Sequence, residues 1–188
     1  DGKTTPFALF KEWNIKGAVA ATLDGHPVDL HAVLADGGAV RPILPNSPEG
    51  LEIIRHSASH LMAQAILRLY PGARFGVGPA IKDGFYYDVL FPTPISDEDL
   101  PAIEAEMKRI VKEKLRIERL EMSSPEALER FKDDPFKTEL IRDIGAETVS
   151  LYRQGEFWDL CRGPHLSDTG HIRHFKLLSI AGAYWRGD

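Results

Sequence analysis

Two pairs of side chains that can bind a metal ion or transfer a proton occur at the same spacing. Cys161, the single cysteine of the chain, precedes His165 by four residues, and His56 precedes His60 by four. Imidazole and thiolate groups are ligands of zinc, and imidazole exchanges protons near neutral pH. Two surface histidines on a half-buried helix would explain His56 and His60 alone equally well. The second pair favours a common site for proton transfer or for a metal ion.

The segment around the first pair has the period of a helix. Apolar residues recur every three or four positions over residues 52–70, which predicts an amphipathic helix. The members of this stripe are Ile54, Ala58, Leu61, Met62, Ala65 and Leu69. His56 and His60 fall almost opposite the stripe, beside Ala63 and Leu67. Because a solvated face is usually rich in charged residues, these small and apolar neighbours predict the wall of a cleft.

The second pair flanks a turn. Gly163 and Pro164 lie between Cys161 and His165 and are incompatible with a regular helix, so the pair is predicted at a strand end and tight turn. Cys161 could act as a nucleophile with His165 as its base. Hydrolysis by direct attack of water requires no covalent intermediate, and we therefore do not assign that role to Cys161.

Composition indicates an ordinary globular protein without membrane spans. The chain has 188 residues, of which 43% are hydrophobic and 27% charged. No apolar run is long enough to cross a membrane and no signal peptide is visible. One cysteine excludes an intramolecular disulfide, which fits a reducing, cytoplasmic setting. The net charge of −5 argues against a broad basic surface for nucleic acid but permits local contact with an RNA end.

The elements predict an α+β protein with two domains. Residues 1–45 form a small mixed module, and a crowd of proline, serine, asparagine and glycine residues then marks a boundary before the domain at 46–188. In the first module we predict a helix at 6–13, strands at 17–23, 26–30 and 39–44, and a hairpin turn at Asp24-Gly25.

The second domain is predicted to combine a mixed or antiparallel sheet with several helices. Its elements, after the long helix with the HxxxH pair, are a hairpin over 74–89, a capped helix from Ser96 to Val111, a strand at 117–120, helices at 124–131 and 135–144, a hairpin of 148–152 with 157–160, and more sheet at 171–185. Lys137 lies in the second of the two short helices.

Four segments carry a resemblance to a known family. They are residues 55–61 (RHSASHL), 84–88 (GFYYD), 159–165 (DLCRGPH) and 181–188 (AGAYWRGD). In this order they resemble the N-terminal region of bacterial threonyl-tRNA synthetases, most densely from Glu49 onwards. Residues 1–45 resemble a shortened β-grasp (TGS) module without a clear first strand. The class II aminoacylation core of the family is absent from this sequence, so the resemblance implies an editing fragment.

The resemblance implies hydrolysis of the aminoacyl ester in mischarged seryl-tRNA for threonine. The partners would be the acceptor 3′ end of tRNA(Thr) carrying serine and, in a full-length enzyme that ligates threonine with ATP, the chain's own catalytic core. No membrane partner is expected. A silent tRNA-binding or regulatory appendage with a structural histidine and cysteine site is the alternative, and deacylation by the chain discriminates between the two.

The family pattern also implies a site. In that pattern, His56, His60, Cys161 and His165 ring the pocket and are joined by Lys137 and Asp159. We expect His56 with Lys137 to position the water and Asp159 to recognise the serine amino group, while the other three shape the pocket and hold the terminal adenosine or the water. Tyr86 or Tyr87 would line the pocket, and Arg162 would contact phosphate.

Zinc is the competing explanation of the same four residues. Three histidines and one cysteine can hold zinc tetrahedrally, as related alanyl-tRNA synthetase editing domains do. Four protein ligands would fill the shell and leave no open position for a water. Editing in the threonyl family is regarded as metal-independent, so the resemblance implies no required cofactor.

Overall fold

The computed structural model describes residues 2–35 and 37–183. Within these ranges the chain has mixed α and β structure, with five α-helices and small antiparallel sheets. None of the helices in these ranges has the length and apolarity that a membrane crossing requires. Residues 184–188, which include the last part of the predicted final strand and of the AGAYWRGD motif, lie outside the described residues.

The N-terminal segment forms one helix and a three-stranded antiparallel sheet of order β2-β1-β3. The elements are α1 (Pro6–Glu12), β1 (Ala20–Leu23), β2 (His26–Val28) and β3 (Val40–Ile43). Asp24 and Gly25 both have positive φ, as a two-residue hairpin of the predicted kind requires. The assignment of this segment to the β-grasp class, and the boundary at residue 45, remain predictions.

The long helix α2 runs from Pro48 to Leu69 and carries His56 and His60. It begins earlier than the apolar period predicts, because the Ser47 hydroxyl accepts a hydrogen bond from the Gly50 N–H and Pro48 occupies the first turn. A Cβ at Gly50 would lie 1.9 Å from the Leu44 carbonyl oxygen, so only glycine fits where β3 leads into this helix.

Two short ladders follow α2, where the sequence predicts one hairpin. They pair β4 (Arg74–Phe75) with β7 (Val89–Leu90) and β5 (Ala80–Ile81) with β6 (Gly84–Phe85).

The remaining elements build a sheet with helices on both faces. They are α3 (Leu100–Glu113), β8 (Ile117–Ser123), α4 (Ser124–Arg130), α5 (Pro135–Ile144), β9 (Thr148–Gln154) and β10 (Phe157–Leu160). The strands pair antiparallel in the order β10-β9-β8. Val149 and Leu151 pack with α4 and α5, whereas Tyr152 and Phe157 join the large apolar cluster around α2 and α3. This alternation places the next inward residue of β10, Asp159, beside α2.

The prediction of further sheet at 171–185 is wrong for the part that the structure describes. Thr169–His171 is a short 3-10 helix, and no strand follows it up to residue 183. Two main-chain N–H groups of this segment donate to carboxylates instead of to a strand. The Leu177 N–H donates to Glu104 at 3.1 Å and the Ile180 N–H donates to Asp97 at 2.8 Å. The alternation of apolar residues therefore reflects packing along α3.

Candidate active site

The histidine pair of α2 faces the end of β10. The ring centroids of His56 and His60 are 5.0 Å apart and nearly perpendicular, as residues one helical turn apart allow. His60 is only 3% exposed because Phe157 and Asp159 cover it, while His56 is partly exposed. Of the face opposite the apolar stripe, His56 and His60 border a cavity, whereas Ala63 beside them is fully buried.

The turn after β10 brings the second pair onto the first. The Sγ atom of Cys161 lies 3.1 Å from Nε2 of His165 and 3.6 Å from Nε2 of His56. Gly163 has a φ of +74°, and its N–H donates to the Cys161 sulfur at 3.3 Å. A Cβ at Gly163 would lie 1.9 Å from the Tyr152 hydroxyl oxygen, so glycine is required both for the backbone conformation and for the space.

Contacts on every side fix the His165 ring. The ring is 1% exposed, and its centroid lies 4.3 Å from those of both His60 and Tyr152. Its Nδ1 atom is 3.2 Å from the Ser57 hydroxyl, which already accepts the Leu166 N–H. The Ser57 hydroxyl can donate its proton to Nδ1, and in that tautomer the ring proton lies on Nε2, facing the sulfur.

A buried ion pair forms the second half of the site. Lys137 and Asp159 are 3% and 1% exposed, and Nζ lies 2.5 Å from Oδ1. Nζ also donates to the Gly76 carbonyl at 2.9 Å and to the Tyr87 hydroxyl at 3.1 Å. Oδ1 of Asp159 has this ion-pair contact but accepts no hydrogen bond from the described residues. The Tyr87 hydroxyl donates in turn to Oδ2 of Asp159, and Nε2 of His60 lies 3.3 Å from the same oxygen.

Local capping positions Lys137 for these contacts. Pro135 opens α5, and Oδ1 of Asp134 accepts the N–H groups of Phe136 and Lys137. The other oxygen of Asp134 accepts the Phe75 N–H at 3.1 Å and thereby ties the start of α5 to β4, next to Gly76.

A cavity of about 730 Å³ opens in front of these groups. Seven of the residues predicted for the site line it, namely His56, His60, Tyr87, Lys137, Asp159, Cys161 and Arg162. His165 lies behind them as a back wall. Of the two tyrosines, only Tyr87 lines this cavity, and both border a second one. The remaining wall is mainly apolar and includes Val77, Pro79, Leu140 and Ile144.

The site holds its histidines neutral and its cysteine protonated. Burial lowers the pKa of His56 below its ordinary value and lowers the pKa of His60 and His165 much further, with repulsion from neighbouring histidines adding to the effect in the last two. Burial also raises the pKa of the Cys161 thiol to about 12. A neutral imidazole can accept a proton from water, whereas a protonated thiol is a poor nucleophile.

The same four residues fit a metal ion. One ligand atom from each of His56, His60, Cys161 and His165 lies within 4.8 Å of the others. Bond lengths of about 2.0–2.3 Å in a tetrahedral zinc site imply ligand separations of roughly 3.3–3.8 Å, so small adjustments would suffice. Neutral imidazoles are the form that binds metal, but the thiol would have to release its proton.

Three residues in contact with the site had no recognisable signal in the sequence. Ser57 contacts His165 directly, and Tyr152 packs on the same ring. Asp29, which follows β2, accepts the His165 N–H and the Tyr152 hydroxyl. Only Ser57 adjoins a predicted site residue in sequence. The other two reach the site through long-range packing.

Comparison with known proteins first shows which class of domain the C-terminal part of this chain matches. Residues 149–188, which contain β9, β10 and the Cys161–His165 turn, match the family described as "Threonyl and Alanyl tRNA synthetase second additional domain".

The wider comparison extends this match over nearly the whole chain. Threonine–tRNA ligase of Geobacter sp. (strain M21) is 55% identical over 175 residues, which are 92% of this chain and 28% of that protein. The corresponding protein of Anoxybacillus flavithermus is 54% identical over 176 residues, 92% of this chain and 27% of the relative. That of Thermotoga maritima is 48% identical over 190 residues, covering 100% of this chain and 30% of the relative.

The predicted resemblance to threonyl-tRNA synthetases is therefore confirmed. The chain is related to a segment of these ligases and spans somewhat more than a quarter of their length.

Proposed function

We propose that this chain hydrolyses the ester of seryl-tRNA for threonine by direct attack of water. The observation that carries the proposal is the pairing, in one cavity, of a partly exposed neutral imidazole, His56, with the buried Lys137–Asp159 ion pair. Ester hydrolysis needs a proton acceptor for the water and a charge complementary to the oxyanion. The kinship with threonine–tRNA ligases supplies the substrate class.

His56 is the proposed proton acceptor. It has the greatest access to the cavity among the three histidines of the cluster, since His60 and His165 are almost completely buried. Because burial lowers its pKa, the ring is available as a base at pH 7. His60, Cys161 and His165 then shape the floor on which the water and the terminal adenosine rest.

Lys137 and Asp159 are proposed to bind the two ends of the reacting group. The Lys137 ammonium stabilises the oxyanion, and Asp159 holds the serine amino group. The Tyr87 hydroxyl already bonds to both side chains, so we expect the substrate to replace it there, while Oδ1 of Asp159, which accepts no hydrogen bond from the described residues, offers a further acceptor. This exchange makes Tyr87 the residue that yields when the substrate enters.

Such an activity solves a known difficulty of discrimination. Serine lacks one methyl group of threonine, and a missing methyl is worth only about 1–3 kcal/mol in a binding pocket. A second site that hydrolyses only the smaller ester restores accuracy. The exposed Arg162 at the cavity rim is proposed to contact a phosphate of the acceptor end, which binds through a local contact in a chain of net charge −5.

Zinc remains the competing chemistry at the cluster. A bound ion would be held by His56, His60, Cys161 and His165, and it would supply Lewis acidity to a water if one of the four left the shell. Under this alternative His56 is a ligand and cannot act as the base. The metal-free mechanism and the zinc mechanism therefore predict different effects of a chelator.

The decisive measurement is the deacylation of seryl-tRNA and threonyl-tRNA for threonine, with and without a strong chelator. We expect serine release, little threonine release and no effect of the chelator. His56→Ala should lower the rate about 10²-fold or more, whereas His26→Ala, at an exposed position outside the cavity, should not. Loss with chelator and recovery with zinc would establish the metal alternative. No hydrolysis, with tRNA binding verified, would contradict the proposal and support a silent appendage.

A further inference from the structure

Asp29, which follows β2 of the N-terminal sheet, contacts the cluster through its carboxylate. Asp29 follows β2, 136 residues before His165 in the sequence, yet its Oδ1 atom accepts the His165 N–H at 2.8 Å. Its Oδ2 atom accepts the Tyr152 hydroxyl proton at 2.6 Å. Both oxygens therefore face the back of the site.

These two contacts act on the same imidazole from different sides. The first fixes the main chain of His165, and the second fixes Tyr152, whose ring centroid lies 4.3 Å from that of His165. The ring then presents Nδ1 to Ser57 at 3.2 Å and Nε2 to Cys161 at 3.1 Å. Hydrogen bonds to a carboxylate are short and strong, so they hold a loop more firmly than neutral acceptors do.

We propose that Asp29 is a positioning residue for the candidate active site. It holds the Cys161–His165 turn through the His165 N–H and the Tyr152 hydroxyl, and thereby sets the distance between the Cys161 sulfur and the histidines of α2. The consequence for catalysis rests on the proposed deacylase function. The consequence for the geometry of His165 does not.

The test compares Asp29→Ala, Asp29→Asn and a control in the 188-residue chain. Asparagine keeps an oxygen for the His165 N–H and offers its amide to the tyrosine hydroxyl, so it should restore most of the effect. Asp24→Ala is the matched control, because the Asp24 carboxylate also accepts a main-chain N–H, that of Ala39 at 2.8 Å, and makes no contact with the cluster.

For seryl-tRNA deacylation we expect Asp29→Ala to lower kcat at least tenfold with KM changed less than threefold. Asp29→Asn should stay within about threefold of the unaltered chain, and Asp24→Ala within twofold even if its Tm falls. If Asp29 had a purely structural role, Tm would fall in both alanine variants, but Asp29→Ala would not show a large loss of kcat with a nearly constant KM. Equal kcat for Asp29→Ala and the unaltered chain would overturn the inference and leave the proposed function intact.

A second readout needs no substrate. Ring nitrogen NMR signals of His165, assigned with His165→Gln, should shift in Asp29→Ala and stay in place in Asp24→Ala. Unchanged signals would overturn the inference even if the unaltered chain hydrolysed neither ester. If Asp29→Ala fails to fold, Tyr152→Phe removes only the hydroxyl contact. Its His165 signals should also shift, and their constancy would equally refute the link.

Discussion

Nζ of Lys137 lies 2.5 Å from Oδ1 of Asp159, and neither side chain is more than 4% exposed. In the interior of a protein, a charged side chain is costly unless an opposite charge compensates it. It joins α5 to β10 across the cavity wall, so the site and the fold depend on the same contact.

Removing either partner should therefore destabilise the chain strongly. We expect Lys137→Met or Asp159→Asn to reduce the free energy of unfolding by about 3–5 kcal/mol, because one charge is left buried and unpaired. The double variant should lose much less than the sum of the two. Urea denaturation measures all three. Lys132→Met, which breaks the exposed Lys132–Glu129 pair, is the control and should leave the free energy of unfolding nearly unchanged. If the double variant lost as much free energy of unfolding as the two single variants together, the result would contradict the pairing of Lys137 with Asp159.

The deacylation rate should depend on pH through His56. The proposed base must be neutral, and its pKa lies below the ordinary 6.5 because of burial. The rate constant should therefore be maximal at pH 7 and fall as the pH decreases through this lowered value. Single-turnover rates, corrected for spontaneous ester hydrolysis, test this. The residual rate of His56→Gln should lose this acidic limb, and an unchanged limb would assign it to another group.

Stability should also fall on acidification. His60 and His165 stay neutral in the fold because burial holds their pKa well below 6.5, but the unfolded chain protonates them near 6.5. The unfolded state then binds more protons, so the free energy of unfolding decreases as the pH falls below 6.5, by up to about 1.4 kcal/mol per pH unit for each ring.

Urea denaturation between about pH 5.5 and 7.5 measures this slope. His165→Asn should reduce the dependence of the free energy of unfolding on pH by the contribution of one imidazole ring. His174→Asn, at an exposed position, serves as the control. An identical slope in His165→Asn and the unaltered chain would show that His165 is not kept neutral by the fold.

Gly163 should tolerate no side chain. Alanine there meets both a φ of +74° and the Tyr152 hydroxyl, 1.9 Å from the added Cβ. We expect Gly163→Ala to cost more than about 2 kcal/mol, since backbone strain and overlap add. Gly182→Ala, where a Cβ meets open space, should stay within about 0.5 kcal/mol. Adding Tyr152→Phe to Gly163→Ala should recover part of the lost stability. Thermal unfolding of Gly163→Ala, Gly182→Ala, Tyr152→Phe and the double variant tests this.

Local signals predicted the elements that hold the site. Pro135 at the start and Gly145 after the end bound the Lys137 helix at the residues that the sequence indicates. The 148–160 hairpin is confirmed as β9 and β10, with β9 two residues longer than predicted. These elements depend on caps and on alternation within a few residues, which a sequence displays directly.

Long-range contacts could not be predicted in this way. The Asp29 carboxylate and the Tyr152 ring reach His165 through packing between separate sheets, for which no local pattern exists. The same reason explains the wrong strand at 171–183, where acceptors from α3 and from Asp97 replaced a neighbouring strand. Local patterns likewise do not predict the contacts of Lys137 with Gly76, Tyr87 and Asp159, although they predict the elements that carry these residues.

The wide sequence separations in the cluster have a consequence for synthesis. His56 and Cys161 lie 105 positions apart, and Asp29 and His165 lie 136 apart. Contacts of this kind form late, because a long loop must close first. A chain leaving the ribosome thus carries the two α2 histidines long before the turn that completes their surroundings. The cluster can assemble only once residue 165 has emerged, so an intact cluster reports that α2 and the Cys161–His165 turn have folded together.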